Sequence, residues 1–342
     1  MNISFEVTIG VPVFQSISYI MDTMKSLLNQ TFNNIEFLII DDCGKDGAID
    51  LIKDLQKKHP RGKNIRILVN DSNRGVGYCR NRIIDEAKGR FLYFMDSDDI
   101  IEFDTIQKLY DAIISNNAQI AYGSYEIVDR INNSTHIYQK SSIILSGEDE
   151  LATYAFKYVR NFHVSVCNHL IELSFLRNSG IRFLDVSFWE DMAFTTELVT
   201  KVTKAVLLSD ITYHYIVHNK SLSHYQDRCA IDKNEILRNI SVLDFLKEKC
   251  DELICKPYIP YLCYNLEMNS FYSVCYIINN SQKIVPSFTL DEMRSILRHP
   301  LPLVKILKFS HSRFNNILFF ILGILPLPFF LPSIKLIKKI KA

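Results

Sequence analysis

The sequence is poor in residues that mark special classes of chain. Of its 342 residues, one is tryptophan, 11 are glycine and 10 are proline. This excludes a collagen-like chain. Hydrophobic residues make up 48% and charged residues 23%, which excludes a disordered chain. The length suits one large or two small globular domains and allows a sizeable core.

Cysteine is sparse as well. The eight cysteines include no CxxC pair, which excludes a disulfide scaffold and leaves no zinc-finger spacing. We expect buried, reduced thiols in a cytoplasmic protein. The first residues, Met1–Glu6, have no basic segment and no small-residue cleavage site. We therefore expect no secretory leader and an active face in the cytoplasm.

Acidic residues are missing from the C-terminal tail, residues 301–342. The tail holds seven of the 39 basic residues and none of the 38 acidic ones, so residues 1–300 carry a net charge of −6. An acidic body argues against a nucleic-acid partner, which would require a basic face. The basic, apolar tail predicts contact with an anionic membrane surface.

Long apolar runs are also missing. The uncharged stretch 317–331 is shorter than the roughly 20 residues that span a bilayer, and it contains Pro326 and Pro328. Basic residues flank it on both sides. This favours an anchor that lies in the membrane interface. A transmembrane helix and a core or oligomer contact are the alternatives.

Apolar runs alternate with helical patterns in residues 1–123. The runs Val7–Val13, Ile35–Ile40, Ile65–Val69 and Phe91–Met95 predict four strands, and the segments between them have helical spacing. Strands that are apolar throughout and separated by helices predict a mostly parallel sheet covered on both faces. Ligands bind beyond the carboxyl ends of such strands.

Acidic residues follow two of these strands. Asp41 and Asp42 end the second, and Asp96, Asp98 and Asp99 follow the fourth. Carboxylates gathered at one edge repel one another unless a cation lies between them. The pattern therefore predicts a divalent cation at this edge.

Four motifs follow one another along the chain. They are Val11-Pro12-Val13-Phe14, Ile40-Asp41-Asp42, Asn73-Arg74-Gly75-Val76-Gly77 with Arg80-Asn81, and Asp96-Ser97-Asp98-Asp99. In this order they resemble the family 2 glycosyltransferases of the GT-A fold. The resemblance is close over about the first hundred residues and looser to about residue 225. Cys43, Gln15 and Cys79 depart from it, since the family usually has Gly and Asn, and often Ala, at these positions.

The resemblance implies an α/β fold of the GT-A, Rossmann-like type, with a mostly parallel sheet flanked by helices. We expect a catalytic domain in residues 1–228, with the nucleotide-sugar half in about 1–100 and the acceptor half in about 101–228. A C-terminal helical extension in 229–300 and the membrane-associating tail in 301–342 would follow.

The resemblance also implies a metal-dependent donor site at the DxD motif. Asp98 would bind the metal directly, and Asp96 would lie near the metal and the donor ribose, with Ser97 between them. Mg²⁺ or Mn²⁺ held by these carboxylates and the two donor phosphates would neutralise the leaving diphosphate.

The base pocket of the donor is implied at the ends of the first two strands. Pro12 and Phe14 would wall it, and Asp42 would accept a hydrogen bond from uracil or guanine N–H groups, which favours UDP. Arg74 and Arg80 would contact the donor phosphates or base. A surface position is the alternative for each arginine.

The segment Trp189-Glu190-Asp191 resembles the ED motif of the family. By this resemblance Asp191 is the catalytic base, and Glu190 and Trp189 hold or orient the acceptor. The alternative is that both acids complement the dipole of a helix N-terminus. His218 resembles a histidine that completes the metal shell, and a structural hydrogen bond is its alternative.

The predicted function is an inverting, metal-dependent glycosyltransferase of cell-surface polysaccharide or lipopolysaccharide synthesis. It would move a sugar from a nucleotide-sugar, with UDP favoured, to a hydroxyl of a saccharide acceptor, expected to be lipid-linked, at the cytoplasmic face of the membrane. The alternative is a non-catalytic, membrane-anchored partner that keeps the fold. Intact DxD and ED motifs argue against it. A nucleotidyltransferase would need a Gly-rich basic loop where Phe14–Ser18 stands.

Overall fold

A computed structural model describes residues 5–158, 165–219 and 229–341, without the side chains of residues 340 and 341. These residues form two compact units. The first comprises the described residues of Met1–Leu151, Arg160–Asp185 and Glu190–His224, and the second those of Ala152–Val159, Val186–Trp189 and Tyr225–Ala342. The predicted domain boundary at residue 228 lies outside the described residues and stays a prediction.

The strands of the first unit form one ten-stranded sheet. They are β1 (Phe5–Val13), β2 (Ile35–Asp41), β3 (Ile65–Val69), β4 (Gly89–Phe94), β5 (Ile100–Ile101), β6 (Ile120–Asp129), β7 (Ser134–Tyr138), β8 (Ile143–Ser146), β9 (His169–Glu172) and β10 (Lys204–Val217). Their order in the sheet is β3-β2-β1-β4-β9-β6-β10-β5, with β7 beside β6 and β8 beside β10.

The central sheet is mostly parallel, as predicted. β1 pairs in parallel with β2 and β4, β2 with β3, and β6 with β10. β9 is antiparallel to both β4 and β6, so β6 and β10 run in the same direction as β1. The carboxyl ends of β1, β2 and β4 therefore meet at one edge, where the acidic motifs follow.

Helices accompany the strands of the first unit. They are α1 (Ile20–Leu28), α2 (Ala48–Lys58), α3 (Val76–Glu86), α4 (Thr105–Asn116), α5 (Glu150–Lys157), α6 (Leu173–Ser179) and α7 (Glu190–Lys201), and residues 152–157 of α5 belong to the second unit. In α1, Ile20, Met24 and Leu27 recur at helical spacing and are fully buried. The strands β1 and β2 are buried on both faces, as expected for a sheet covered on both sides.

The second half of the sheet differs from the expectation in detail. The sequence indicates only a short strand at Val206–Leu208, and the structure makes it part of the much longer β10, which pairs with β5, β6 and β8. The short strands β7, β8 and β9 were not predicted. β7 forms a hairpin with β6, while β8 and β9 pair with strands that are distant in sequence. Their own residues give only a weak periodic pattern.

The second unit is mainly helical and contains the predicted C-terminal extension. Its remaining elements are β11 (Ile231–Asp232), α8 (Lys233–Glu248), α9 (Ile259–Asn279), β12 (Ile284–Val285), α10 (Leu290–Ile296), α11 (Leu303–Ile306), α12 (Arg313–Ile324) and α13 (Leu327–Lys341). A buried ion pair between Lys247 and Glu267, 2.8 Å apart, joins α8 to α9.

The tail contributes to the hydrophobic core of the second unit. Phe319 and Phe330, from α12 and α13, are fully buried beside Phe271 of α9. Phe314 and Phe329 are 80% and 63% exposed. One face of the tail is therefore packed and another is apolar and open. No helix among the described residues has both the length and the hydropathy required to cross a membrane.

Candidate active site

Two loops at the carboxyl edge of the sheet are held in close contact. A Cβ added to Gly44, after β2, would lie 2.6 Å from the backbone nitrogen of Gln15, after β1. Gln15, Cys43 and Lys45 have φ of 48°, 60° and 54°, which is the left-handed region that glycine prefers. Such strain concentrates at functional sites. The usual family glycine at the position of Cys43 is explained by this backbone conformation.

The predicted base pocket lies at these loops. Pro12 is half-buried near the end of β1 and pairs in register with Ile40, while the next aromatic residue, Phe14, is 42% exposed. An exposed aromatic side chain beside a strained loop is available for a planar ligand.

Asp42 is buried and holds the loop that precedes α3. Its Oδ1 accepts hydrogen bonds from Asn70 Nδ2 at 2.7 Å and from the backbone nitrogen of Arg74 at 2.9 Å, and its Oδ2 accepts one from the nitrogen of Gly75 at 2.9 Å. The Cys79 thiol also hydrogen-bonds to Asp42, so the carboxylate has four partners for its about four lone-pair directions. Gly75 has φ 85°, a conformation that requires glycine at this turn.

Arg74 lies in this loop and its side chain is exposed. Its guanidinium lies 4.3 Å from the ring centroid of Tyr78, which is 40% exposed. Stacking on an aromatic ring orients a guanidinium and leaves its edge N–H groups available. Arg74 is therefore placed where an anionic ligand can reach it.

Arg80 is buried and joins two distant motifs. Its Nη1 donates to Glu190 Oε1 at 2.7 Å, and its Nη2 donates to Asp96 Oδ1 at 2.9 Å. Burial lowers the pKa of Arg80, but the neighbouring Asp96 and Glu190 raise it by more. The net pKa is therefore above the usual value, and the guanidinium stays charged. The structure thus connects the DxD motif to the ED motif through Arg80, which lies 110 residues before Glu190. The expected contact of Arg80 with the donor stays a prediction.

Asp98 and His218 lie together. His218 Nε2 is 3.0 Å from Asp98 Oδ2, and its ring stacks on Tyr19 with centroids 3.8 Å apart. Burial and the neighbouring Asp96 raise the pKa of Asp98, while His218 lowers it. Ionised Asp98 is therefore costly here, and a cation would favour it.

The side chains of Asp98 and His218 suit the implied metal. Carboxylate oxygen and imidazole nitrogen both suit Mn²⁺, and Mg²⁺ is usually bound by one or two carboxylates together with substrate phosphates. The described residues contain no ready-made group of three His, Cys, Asp or Glu ligands. Asp98 and His218 therefore fit a metal whose shell is completed by oxygens of a bound diphosphate.

Asp99 differs from its neighbours in the acidic loop. Its Oδ2 accepts a hydrogen bond from the Tyr213 hydroxyl at 2.5 Å, and its Oδ1 accepts one from the nitrogen of Ile216 at 2.7 Å. Burial, with Asp98 and Asp96 nearby, raises the pKa of Asp99 well above its usual range. Asp99 anchors the loop to β10, while Ser97 is half-buried within the loop.

The ED motif begins α7, as its sequence pattern predicts. Trp189 precedes the helix with φ 69°, and Asp191 Oδ1 accepts a hydrogen bond from the nitrogen of Met192 at 2.7 Å. Burial and the neighbouring Glu190 raise the pKa of Asp191 to about 7, against a lowering effect of Arg80. A carboxylate with this pKa can accept a proton near neutral pH.

Three residues that support the site are not among the predicted site residues. Asn70 binds Asp42 and also accepts from Arg82 Nη1 at 2.6 Å, while Tyr19 and Tyr213 support His218 and Asp99. The sequence pattern places Asn70 after a strand at this sheet edge, and Tyr213 lies in a segment that resembles the one closing the site in the family. Tyr19 has no such signal, because its partner His218 is distant in sequence.

The chain is similar to known glycosyltransferases in sequence. The profile described as Glycosyl transferase family 2 matches residues 8–178. The chain is 23% identical over 241 residues to TuaG of Bacillus subtilis (strain 168), a glycosyltransferase assigned to teichuronic acid biosynthesis, which covers 70% of this chain and 90% of TuaG. It is 25% identical over 215 residues to a poly(ribitol-phosphate) beta-glucosyltransferase of Bacillus spizizenii, covering 62% of this chain and 32% of that protein.

A solved structure has the same fold. The crystal structure of S. aureus TarS 1-349 in complex with UDP-GlcNAc is 17% identical, with a TM-score of 0.70 over 93% of this chain and 90% of that one. This likeness confirms the predicted GT-A architecture. Because the family profile matches half of its length, the chain belongs to glycosyl transferase family 2 and is a glycosyltransferase.

Proposed function

We propose that this glycosyltransferase is metal-dependent and inverting, and that it moves a sugar from a nucleotide-sugar to an acceptor hydroxyl. The observation that carries the proposal is the pair of buried contacts from Arg80 to Asp96 and Glu190. Because they join the DxD and ED motifs, donor and acceptor groups can meet at one edge of the sheet.

The donor nucleotide is assigned to the strained loops after β1 and β2. Phe14 and Pro12 would wall the base, and Asp42 would accept from a base N–H in place of the Cys79 thiol, its weakest present donor. This favours UDP. The TarS structure, which contains UDP-GlcNAc, is consistent with that choice. Arg74, and Arg80 if its ion pairs open, would contact the phosphates.

Asp98 and His218 would hold a divalent cation, Mn²⁺ or Mg²⁺, with Asp96 beside it. When bound, this ion would neutralise the charge that develops on the leaving diphosphate. The raised pKa of Asp98 supports a cation at this position, since a positive ion favours the ionised carboxylate.

Asp191 would act as the general base. It would take the proton of the acceptor hydroxyl as the oxygen bonds to the anomeric carbon and the bond to the diphosphate breaks on the opposite face. This single displacement inverts the anomeric centre and needs no covalent intermediate on the enzyme. Glu190, held by Arg80, would keep Asp191 in place, and Trp189 would orient the acceptor.

The acceptor is proposed to be a saccharide of a cell-surface polymer, carried on a lipid. The names of the relatives, one assigned to teichuronic acid biosynthesis and one a poly(ribitol-phosphate) glucosyltransferase, support a surface polymer. An acceptor on a lipid requires the enzyme to work at the cytoplasmic face of the membrane.

The apolar face of the tail is proposed to provide this attachment. Phe314, Phe329 and Leu336 are 80%, 63% and 60% exposed, among the basic residues of the tail, which suits an anionic interface. Deleting the tail would remove buried core residues. The double variant Phe314→Ser with Phe329→Ser is therefore the better test. We expect it to lose sedimentation with anionic vesicles, while Leu237→Ser, at a 40% exposed site of α8, keeps it. Retained sedimentation of the double variant would contradict the attachment.

A thermal-shift panel tests the donor site. UDP, GDP, CDP and ADP are added with and without Mn²⁺ to the wild type and to Asp98→Ala. A ligand at 100 times its Kd should add about 2.7 kcal/mol of stability. We expect UDP to act only with Mn²⁺ and only on the wild type. A shift by another nucleotide would contradict the choice of UDP. No shift by any nucleotide would favour the non-catalytic partner.

A further inference from the structure

A second concave site lies in the first unit, in the half that was predicted to bind the acceptor. Its walls come from β6, from β10 and from the chain before β9, and include Tyr125, Asn168 and Tyr213, with Lys140 between β7 and β8. The space suits about two water molecules. It can therefore hold a small charged group, such as a phosphate or a carboxylate, better than a sugar ring.

Lys140 is the unusual feature of this cavity. Its side chain is only 7% exposed, and no acidic side chain is among the residues that line the cavity. Within the described parts of the chain, no carboxylate forms an ion pair with Lys140. Its Nζ lies 5.2 Å from the ring centroid of Tyr125, which offsets part of the cost of burying the charge.

The amine nevertheless stays mostly charged at neutral pH. Burial lowers the pKa of Lys140 to about 8, and the neighbouring His169, buried, has its pKa lowered to about 3 and is neutral. Lysine is therefore the positive group that an incoming anion would meet here. A buried cation without a counter-ion is costly, and an anion would remove that cost.

The chain around Lys140 is held in place before any ligand binds. The backbone nitrogen of Lys140 donates to Ser124 Oγ at 2.8 Å. On either side, Gln139 Nε2 donates to the carbonyl of Ser209 at 3.1 Å, and the Ser142 and Ser209 hydroxyls are 2.9 Å apart. A lysine fixed in this way loses little freedom when it binds an anion.

The cavity is connected to the candidate active site through one side chain. Tyr213 lines the cavity, and its hydroxyl donates to Asp99, the residue after Asp98. A group bound at Lys140 would therefore belong to a molecule that lies on the acceptor side of the acidic loop.

We propose that the Lys140 cavity binds an oxyanion, a phosphate or a carboxylate, of the acceptor molecule. The assignment to the acceptor rests on the proposed function. The presence of an anion site rests on Lys140 and its surroundings alone. An anion site at Lys140 implies that the acceptor is an anionic polymer. It would also let the enzyme discriminate by charge against neutral saccharides.

The test follows Lys140 directly. The protein is labelled with [13Cε]lysine and titrated at pH 7 with inorganic phosphate, with glucuronate and with UDP plus Mn²⁺. Lys140→Met identifies the resonance, and Lys57, exposed on α2, is the control, identified by Lys57→Met. We expect a saturable shift of Lys140, and not of Lys57, with phosphate or with glucuronate. The anion that saturates the shift at the lower concentration indicates whether the site prefers a phosphate or a carboxylate.

Equilibrium dialysis of the preferred anion gives the second readout. We expect Lys140→Met to bind it at least about tenfold more weakly, as for loss of a charge-assisted hydrogen bond, and Lys57→Met to bind as the wild type does. Lys140→Gln is the replacement if the methionine variant does not fold.

Two results would overturn the inference. If neither anion shifts Lys140, the ring of Tyr125 alone satisfies the amine and the cavity is structural. If UDP shifts the Lys140 resonance and Lys140→Met weakens the binding of UDP, the lysine contacts the donor and not the acceptor. Loss of the anion effect with UDP-dependent stabilisation intact would contradict this inference alone. Absence of UDP-dependent stabilisation in the wild type would contradict the proposed function.

Discussion

Asp191→Asn separates the chemistry of the proposed base from its electrostatic cost to the fold. In the folded protein the pKa of Asp191 rises from its ordinary 3.8 to about 7, mainly through burial and Glu190. The contribution of the group to stability is therefore fully present below pH 3.8 and is lost as pH rises through about 7. By linkage the loss is at most about 4 kcal/mol. Asparagine keeps the shape and does not titrate.

We therefore expect the free energy of unfolding of Asp191→Asn to exceed that of the wild type at pH 8 by up to about 4 kcal/mol, and by much less at pH 5. Guanidinium titrations at the two pH values measure this. UDP release from a UDP-sugar should fall by roughly 10²–10⁴, and the wild-type rate should rise with pH through about 7.

The matched control is Asp185→Asn, which removes an exposed acid from the same unit. It should change neither the rate nor the pH dependence of stability. Two results would refute the reasoning. One is a wild-type rate in Asp191→Asn. The other is an equal stability difference at pH 5 and pH 8, which would mean that Asp191 does not titrate near 7 in the folded protein.

Three further substitutions test the supporting geometry. Arg80→Met leaves two carboxylates without their buried partner, so it should lower stability by about 3–5 kcal/mol in denaturant unfolding; a change below about 1 kcal/mol would show that the pairs are open in solution. Cys43→Gly relieves a left-handed φ of 60° and should raise stability by about 0.5 kcal/mol after the entropic cost of glycine; a lower melting temperature would contradict this strain. Gly77→Ala places a Cβ 2.8 Å from the carbonyl oxygen of Leu184 and should lower the free energy of unfolding by about 1–3 kcal/mol. An unchanged melting temperature would show that the backbone at Leu184 moves to accommodate the methyl group.

The sequence allowed the donor half of the fold to be predicted almost element by element. The strands β1 to β4 are mainly apolar runs, and helices of clear periodicity separate them. Each strand pairs with a neighbour in the same short segment of chain. The strand β9 shows the opposite case. It is four residues long, and only its partners β4 and β6, which come much earlier in the chain, make it a strand.

The candidate site was predictable as motifs and not as a network. Asp98 and His218 were predicted as ligands of one metal ion from two separate segments, and the structure brings their side chains to 3.0 Å. The link made by Arg80 could not be predicted, because no local spacing relates residues 110 positions apart. Lys140 gave no signal either. A lysine in a polar segment is predicted to be exposed. Lys140 is buried only because strands of the sheet surround it.

Binding of Mn²⁺ in the presence and absence of UDP tests the central claim most directly. Free Mn²⁺ is followed by electron paramagnetic resonance in titrations of the wild type and of Asp98→Asn. Because Asp98 and His218 supply too few ligands alone, the account predicts weak binding without UDP, tight binding with UDP, and loss of the UDP-dependent binding in Asp98→Asn. Wild-type protein that leaves Mn²⁺ free when UDP is present, or an Asp98→Asn variant that binds it equally well, would contradict the proposed metal-dependent donor site.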